Sequence, residues 1–136
     1  MHGYSKTPLA KKLGIKEGFV ISLINSPEHY FDLFEVFPNN ISLENNPVTE
    51  SLDFAHVFCT SFNCLEKETK RLKPLLKKTG ILWVSWPKGT SKIDTEINRE
   101  SIRSYVLDHI GLVDVKVAAI DVNWSALKFV YRIKDR

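Results

Sequence analysis

The sequence predicts a single α/β domain over residues 1–136: a mostly parallel sheet with helices on both faces, closed by a C-terminal antiparallel hairpin. Three observations carry this reading. Near-continuous apolar runs at 19–24, 54–60 and 80–86 fit strands buried on both faces better than strands with a wet side. Stretches with helical spacing of apolar residues alternate with those runs. Toward the C-terminus the pattern changes to period two, in Val113 to Ile120 and again in Leu127 to Ile133. A chain of 136 residues that is 43% hydrophobic and 26% charged has material for one core and too little for two ordinary domains.

Thr7-Pro8-Leu9-Ala10-Lys11-Lys12-Leu13-Gly14 carries helix punctuation: a hydroxyl N-cap, proline at the first helical position and glycine past the last turn. After Ile15 to Gly18 turns the chain, Phe19 to Ile24 forms the first strand. Ser26 and Pro27 repeat the cap logic, and Tyr30, Leu33, Phe34 and Phe37 predict a helix ending at Pro38. Ile41 to Glu44 is a brief second strand, followed by a polar loop over 45–51 and a third strand over 54–60.

Phe62, Leu65, Thr69, Leu72 and Leu76 then share one helical stripe, with Glu66, Lys67, Lys70, Arg71 and Lys73 on a solvated face. Pro74 removes a backbone donor and must kink or split this helix. The fourth strand, Gly80 to Lys88, is the most apolar run and ends abruptly at Trp86-Pro87-Lys88. Alternation puts Trp83 and Ser85 on one face and Val84 and Trp86 on the other, so Trp83 is core while Trp86 reaches the strand end. A further helix within 94–109 takes Asn98 as N-cap and Gly111 as terminator, with Ile102, Val106 and Ile110 inward.

The 19 Lys+Arg residues are interspersed among 16 Asp+Glu, leaving +3, which argues against a nucleic-acid surface. Lys88, Lys92, Lys128 and Arg132 make only a thin basic face. Cys59 and Cys64 lack the neighbouring ligands of a zinc site and read as free thiols, and burial in an apolar strand should leave Cys59 inert. No run approaches the roughly 18 apolar residues of a membrane span, and Met1 to Lys6 has no leader-like apolar core, so a soluble cytoplasmic protein is expected. His29, His56 and His109 share no spacing that would assemble a metal or a catalytic base; His56 reads as a core histidine with one nitrogen satisfied. No metal site and no catalytic constellation is predicted.

In a sheet of this kind ligands bind beyond the carboxyl ends of the strands. Those ends hold Asn25 and Ser26, Glu44, Thr60 and Ser61, Trp86-Pro87-Lys88, and Asp121 to Ser125. Trp86 and Trp124, with Lys88, Asp121 and Lys128, would form an apolar slot with a few polar groups; the same indoles would serve equally as the packed end of a core. The first strand-to-helix turn, Asn25-Ser26-Pro27-Glu28, has no glycine to let a backbone approach a pyrophosphate, which excludes NAD, FAD and a P-loop. Glu44, at the end of the second strand, stands where a ribose-binding carboxylate would sit, and a solvated strand end is the plainer reading.

Alternating strands and helices, with a final hairpin whose last strand inserts beside the fourth, resemble a Rossmann-like S-adenosylmethionine-dependent methyltransferase, shortened. The resemblance implies a cofactor turn at Asn25-Ser26 and a ribose contact at Glu44; the sequence keeps the acid and lacks the glycines. At the level of motifs the chain resembles the bacterial domain of unknown function 3052. The matching pieces are Gly3-Tyr4-Ser5-Lys6-Thr7-Pro8-Leu9-Ala10-Lys11-Lys12-Leu13-Gly14, Leu82 to Lys88, Gly111 to Val117, and Trp124-Ser125 with Leu127-Lys128. That family implies no activity. The expected function is a non-catalytic, methyltransferase-like domain that binds a small ligand or a protein partner without a cofactor. The alternative is an active methyltransferase using S-adenosylmethionine through a glycine-poor turn.

Overall fold

The computed structural model describes residues 7–136. The readings placed on residues 1–6, the absence of a leader core and the start of the opening motif, lie outside the described residues. Six strands form one sheet: β1 (Val20–Ile24), β2 (Ser42–Leu43), β3 (Leu52–Phe58), β4 (Leu76–Pro87), β5 (Leu112–Ala119) and β6 (Trp124–Tyr131). Their spatial order is β2-β1-β3-β4-β6-β5. β2, β1, β3 and β4 run parallel, and β6 lies antiparallel between β4 and β5. The α/β class, the largely parallel sheet and the terminal hairpin are therefore as the sequence predicts, including insertion of the last strand beside the fourth.

Two cores follow from the alternation of side chains along the strands. One face carries Ala55 and Val57 of β3, Leu82, Val84 and Trp86 of β4, and Leu127 and Phe129 of β6. It is covered by α2 (Phe62–Leu72), through Leu65 and Leu72, and by α3 (Arg99–Tyr105), through Ile102, with Val106 and Ile110 continuing the stripe. The other face carries Ile21, Phe54, Phe58 and Trp83 and lies under α1 (Leu9–Leu13) and the segment 30–41. Trp83 is fully buried, and its Nε1 donates to the Leu13 carbonyl at 2.8 Å, fixing α1 to the sheet.

Local chemistry explains most element ends. Ser61 caps α2 by accepting the Cys64 amide. Asn98 and Ser101 form a reciprocal capping box at α3. A π-type turn, Val106–Ile110, follows α3 and ends at Gly111, whose φ of 84° is left-handed. Gly14 ends α1 in the same conformation. The helix starts one residue later than the cap pattern predicts, so Pro8 rather than Thr7 holds the N-cap position.

Three expectations about elements are corrected. The helix expected before Pro38 is only a 3₁₀ turn, Tyr30–Leu33, with Phe34 extended. Its aromatics form a mat instead: Tyr30 meets Phe34 tilted at 5.4 Å, and Phe37 stands edge-on to Phe34 at 5.0 Å and to Phe31 at 5.3 Å. A straight helix would hold positions six apart well out of contact, so burying these rings overrides helical spacing. The second helix breaks at Pro74 as the sequence predicts, stopping at Leu72 and passing into a 3₁₀ turn, Lys73–Leu75, so that Leu76 does not belong to the helical stripe expected for it. β4 then starts at Leu76 rather than Gly80. At Gly80 a Cβ would lie 2.9 Å from the carbonyl oxygens of both Leu52 and Lys77, so this close backbone approach, beside the irregular register at Leu52/Phe54, requires glycine.

Candidate functional site

The carboxyl ends of the parallel strands meet along one edge of the sheet. β5 shares this direction because it is antiparallel to β6, which is antiparallel to β4. The first turn on that edge is made by Asn25, whose φ of 58° is left-handed, a conformation asparagine tolerates better than most residues. Its side chain folds back over the sheet: Nδ2 donates to the Phe58 carbonyl at 3.3 Å and reaches the Cys64 sulfur at 3.5 Å. Ser61 Oγ accepts from the Cys64 amide at 3.1 Å. Asn25 and Ser61, two predicted site residues, thus converge on the first turn of α2.

The segment before α3 straps this corner. Glu96 N and Thr95 Oγ1 both donate to the Thr60 carbonyl, at 3.0 and 3.2 Å. Glu96 Oε1 accepts from the Phe62 amide at 2.7 Å. These ties account for Thr60 and Ser61 at the strand end through backbone capping. Ser26 is half-buried next to Asn25, and Glu44 is exposed just past β2, its amide bonded to the Ile21 carbonyl at 2.9 Å.

The slot expected between Trp86 and Trp124 does not form as one cavity. In the antiparallel β4/β6 register Trp86 faces Ser125 and Pro87 faces Trp124, so the two indoles lie on opposite faces of the sheet. Trp86 is 8% exposed and packs in the core under α2 and α3. Trp124 stands edge-on to Phe58 at 5.1 Å on the other face. Lys88 closes the β4 end through its amide, which donates to the Asn123 carbonyl at 2.8 Å.

Lys128 is also removed from this edge. It pairs with Trp83, three positions before Trp86, which places it about 10 Å down the strand. There burial, with Lys116 and Lys16 nearby, holds its ammonium below the ordinary lysine range. Asp121 shapes the β5–β6 turn, its Oδ1 accepting from the amides of Asn123 and Trp124 at 2.8 and 2.9 Å. Its Oδ2 lies 3.1 Å from His29 Nε2, tying the hairpin turn to the segment after β1.

Beneath that tie lies a buried polar chain centred on His56, the predicted core histidine. His56 is fully buried, its Nδ1 3.0 Å from Tyr30 Oη and its Nε2 2.7 Å from Ser85 Oγ. Both nitrogens are satisfied, not one. Burial pushes the imidazole down to about 3 and the Tyr30 phenol well above its usual range, so both stay neutral. Ser85 is fully buried as well, so the trio is a structural relay closed to substrate. Its signal was a histidine and a serine among apolar strand positions with a tyrosine in the segment after β1, but their meeting depends on strand register and on the 3₁₀ turn at Tyr30.

Among the described residues no group of three or more His, Cys, Asp or Glu side chains could hold a metal ion, and no helix is long and apolar enough to cross a membrane. A concavity of about 450 Å³ lies at the opposite end of the sheet, lined in part by Glu50, Lys73, Lys78 and Tyr131. It contains none of the predicted ligand residues.

Neither a family model nor a curated protein matches the sequence. Solved structures do match the fold. A SAM-dependent methyltransferase from Aquifex aeolicus superposes with a TM-score of 0.61 at 14% identity, over 89% of this chain and 86% of that one. The Burkholderia thailandensis 1,6-didemethyltoxoflavin-N1-methyltransferase gives 0.58 at 10% identity, over 89% and 73%. The Methanococcus jannaschii fibrillarin pre-rRNA processing protein gives 0.57 at 14% identity, over 86% and 68%. At these identities the likeness is one of fold, and the chain has the Rossmann-like fold of SAM-dependent methyltransferases.

Proposed function

We propose that this chain is a methyltransferase-like domain that binds a small ligand or a protein partner at the carboxyl edge of its sheet and does not transfer methyl groups. The observation that carries the reading is the turn after β1. A glycine-rich turn leaves bare backbone for a cofactor to approach. Here the Asn25 side chain lies across that place, bonded to the Phe58 carbonyl and touching Cys64. The residues at the turn therefore fit S-adenosylmethionine poorly. The resemblance to domain of unknown function 3052 is compatible with this reading and supplies no activity of its own.

Trp124, half-buried at the same edge, is a built-in reporter. Titration with S-adenosylmethionine and S-adenosylhomocysteine, followed by tryptophan fluorescence and thermal shift, should give a flat response. Saturable micromolar binding would overturn the non-methylating reading.

A second reading is an active methyltransferase with an atypical turn. Asn25 adopts the left-handed conformation a glycine would supply, and Glu44 stands exposed at the end of β2. In that case Glu44→Ala abolishes cofactor binding, whereas unchanged affinity rules out a ribose contact there.

A further inference from the structure

Cys59 and Cys64 lie at the corner between the end of β3 and the first turn of α2, with their sulfurs 2.7 Å apart. This is well inside ordinary van der Waals contact, though longer than a disulfide, about 2.05 Å, so bonding needs only a small approach of the two sulfurs. Cys59 is 1% exposed, whereas Cys64 is half-buried and open to small solutes. Burial, reinforced by Cys64 and Glu68, pushes the Cys59 thiol up, so Cys59 remains protonated, and either sulfur can donate in the contact between them. Both thiols are free.

We propose that Cys59 and Cys64 form a peroxide-sensitive dithiol, closing to an intramolecular disulfide that sets the position of the Asn25 turn. The Cys64 sulfur attacks a peroxide, gaining one oxygen as the sulfenic acid while the peroxide is reduced to water. The Cys59 sulfur then attacks Cys64, its proton leaves with the sulfenic hydroxyl as a second water, and the S–S bond forms. Both sulfurs are oxidised and one peroxide is consumed.

The link to the edge of the sheet is direct. Asn25 Nδ2 touches the Cys64 sulfur and the Phe58 carbonyl, the residue just before Cys59. Closing the disulfide draws Cys64 toward Cys59 and so weakens or reorients the contact to Asn25. That the change alters ligand access rests on the proposed role of this edge; formation of the bond does not.

The test is intact mass and thiol alkylation of the whole chain before and after dilute hydrogen peroxide. The reduced protein should take up iodoacetamide at Cys64. The oxidised protein should lose two hydrogens, resist alkylation at both positions and recover with dithiothreitol. Peroxide-treated protein that remains alkylatable, that gains oxygens in place of losing hydrogens, or that forms covalent dimers on a non-reducing gel would overturn the proposal.

In Cys59→Ser the Cys64 sulfenic acid has no partner and should proceed to sulfinic acid. Should that buried substitution fail to fold, Cys64→Ser serves instead, and it should leave Cys59 unoxidised under the same peroxide. Because these readouts involve no ligand, a failed disulfide and a failed binding role are told apart.

Discussion

The face of the sheet under α2 and α3 is held by apolar side chains, while the face under α1 and residues 30–41 is organised around hydrogen bonds that run through the core. On the first, the buried hydroxyl of Thr69 is satisfied within its own helix, by the Leu65 carbonyl at 2.6 Å. The bonds between elements there, Tyr131 Oη to the Lys73 carbonyl at 2.8 Å and Lys73 Nζ to the Ile110 carbonyl at 2.6 Å, are only half-buried. On the second, Trp83 is bonded to Leu13, and His56 joins Tyr30 to Ser85. Apolar contacts tolerate small slips, whereas a satisfied buried network fits one arrangement and is costly to leave half-made. The second face has no long helix, so these bonds locate its irregular cover.

The largest expected effect separates the two faces at neighbouring positions of β4. Trp83→Ala should cost about 3–5 kcal/mol in denaturant unfolding, through lost packing and an orphaned Leu13 carbonyl. Leu82→Ala, pointing to the other face, should cost about 2–5 kcal/mol. Hydrogen exchange distinguishes them more sharply than the totals do. Trp83→Ala should release the α1 amides around Leu13, and Leu82→Ala should leave them protected. Equal protection of α1 in the two variants would remove the distinction drawn between the faces.

A second difference is pH. His56 is held neutral with a folded value near 3, against 6.5 when exposed. Below pH 6.5 the unfolded chain takes up a proton that the folded chain refuses, so stability is fully present above 6.5 and falls as pH drops toward 3. The loss is about 1.4 kcal/mol per pH unit in that window, or roughly 3 kcal/mol by pH 4.5. Urea unfolding at several pH values should show this slope, and His56→Phe should flatten it while lowering stability at pH 7 by stranding Tyr30 and Ser85. An unchanged acid slope in His56→Phe would assign the loss to other groups.

What the sequence conveyed follows the same division. Helices with a stripe and caps could be read residue by residue: Gly14, Asn98 and Gly111 end or begin elements as their chemistry predicts, whereas the Ser61 cap on α2 was read only as a strand end. The sheet class and the place of the last strand were legible because buried strands and hairpins have distinct apolar periods. The 30–37 segment was misread because its aromatic spacing is also helical, and only packing against Phe58 and His56 makes the compact mat preferable. At the site, strand ends could be named, but which side chains meet depends on register. A single antiparallel offset sends Trp86 and Trp124 to opposite faces and Lys128 to mid-strand. The closeness of Cys59 to Cys64 needs the geometry of the turn as well as the spacing.

The smallest effect should come where local chemistry acts alone. In α3, Asn98 Oδ1 accepts from the Ser101 amide and Ser101 Oγ accepts from the Asn98 amide, both at 2.9 Å. Asn98→Ala removes one of these bonds at an exposed helix start and should cost about 1 kcal/mol, seen as a lower urea midpoint with an unchanged slope. The stripe of Ile102, Val106 and Ile110 stays in place, because apolar burial rather than the cap holds the helix to the sheet. Acid sensitivity should also be unaltered, since His56 lies on the other face. A cost for Asn98→Ala that matched Trp83→Ala would mean that α3 depends on its cap for docking, and the apolar face would then be as specifically built as the hydrogen-bonded one.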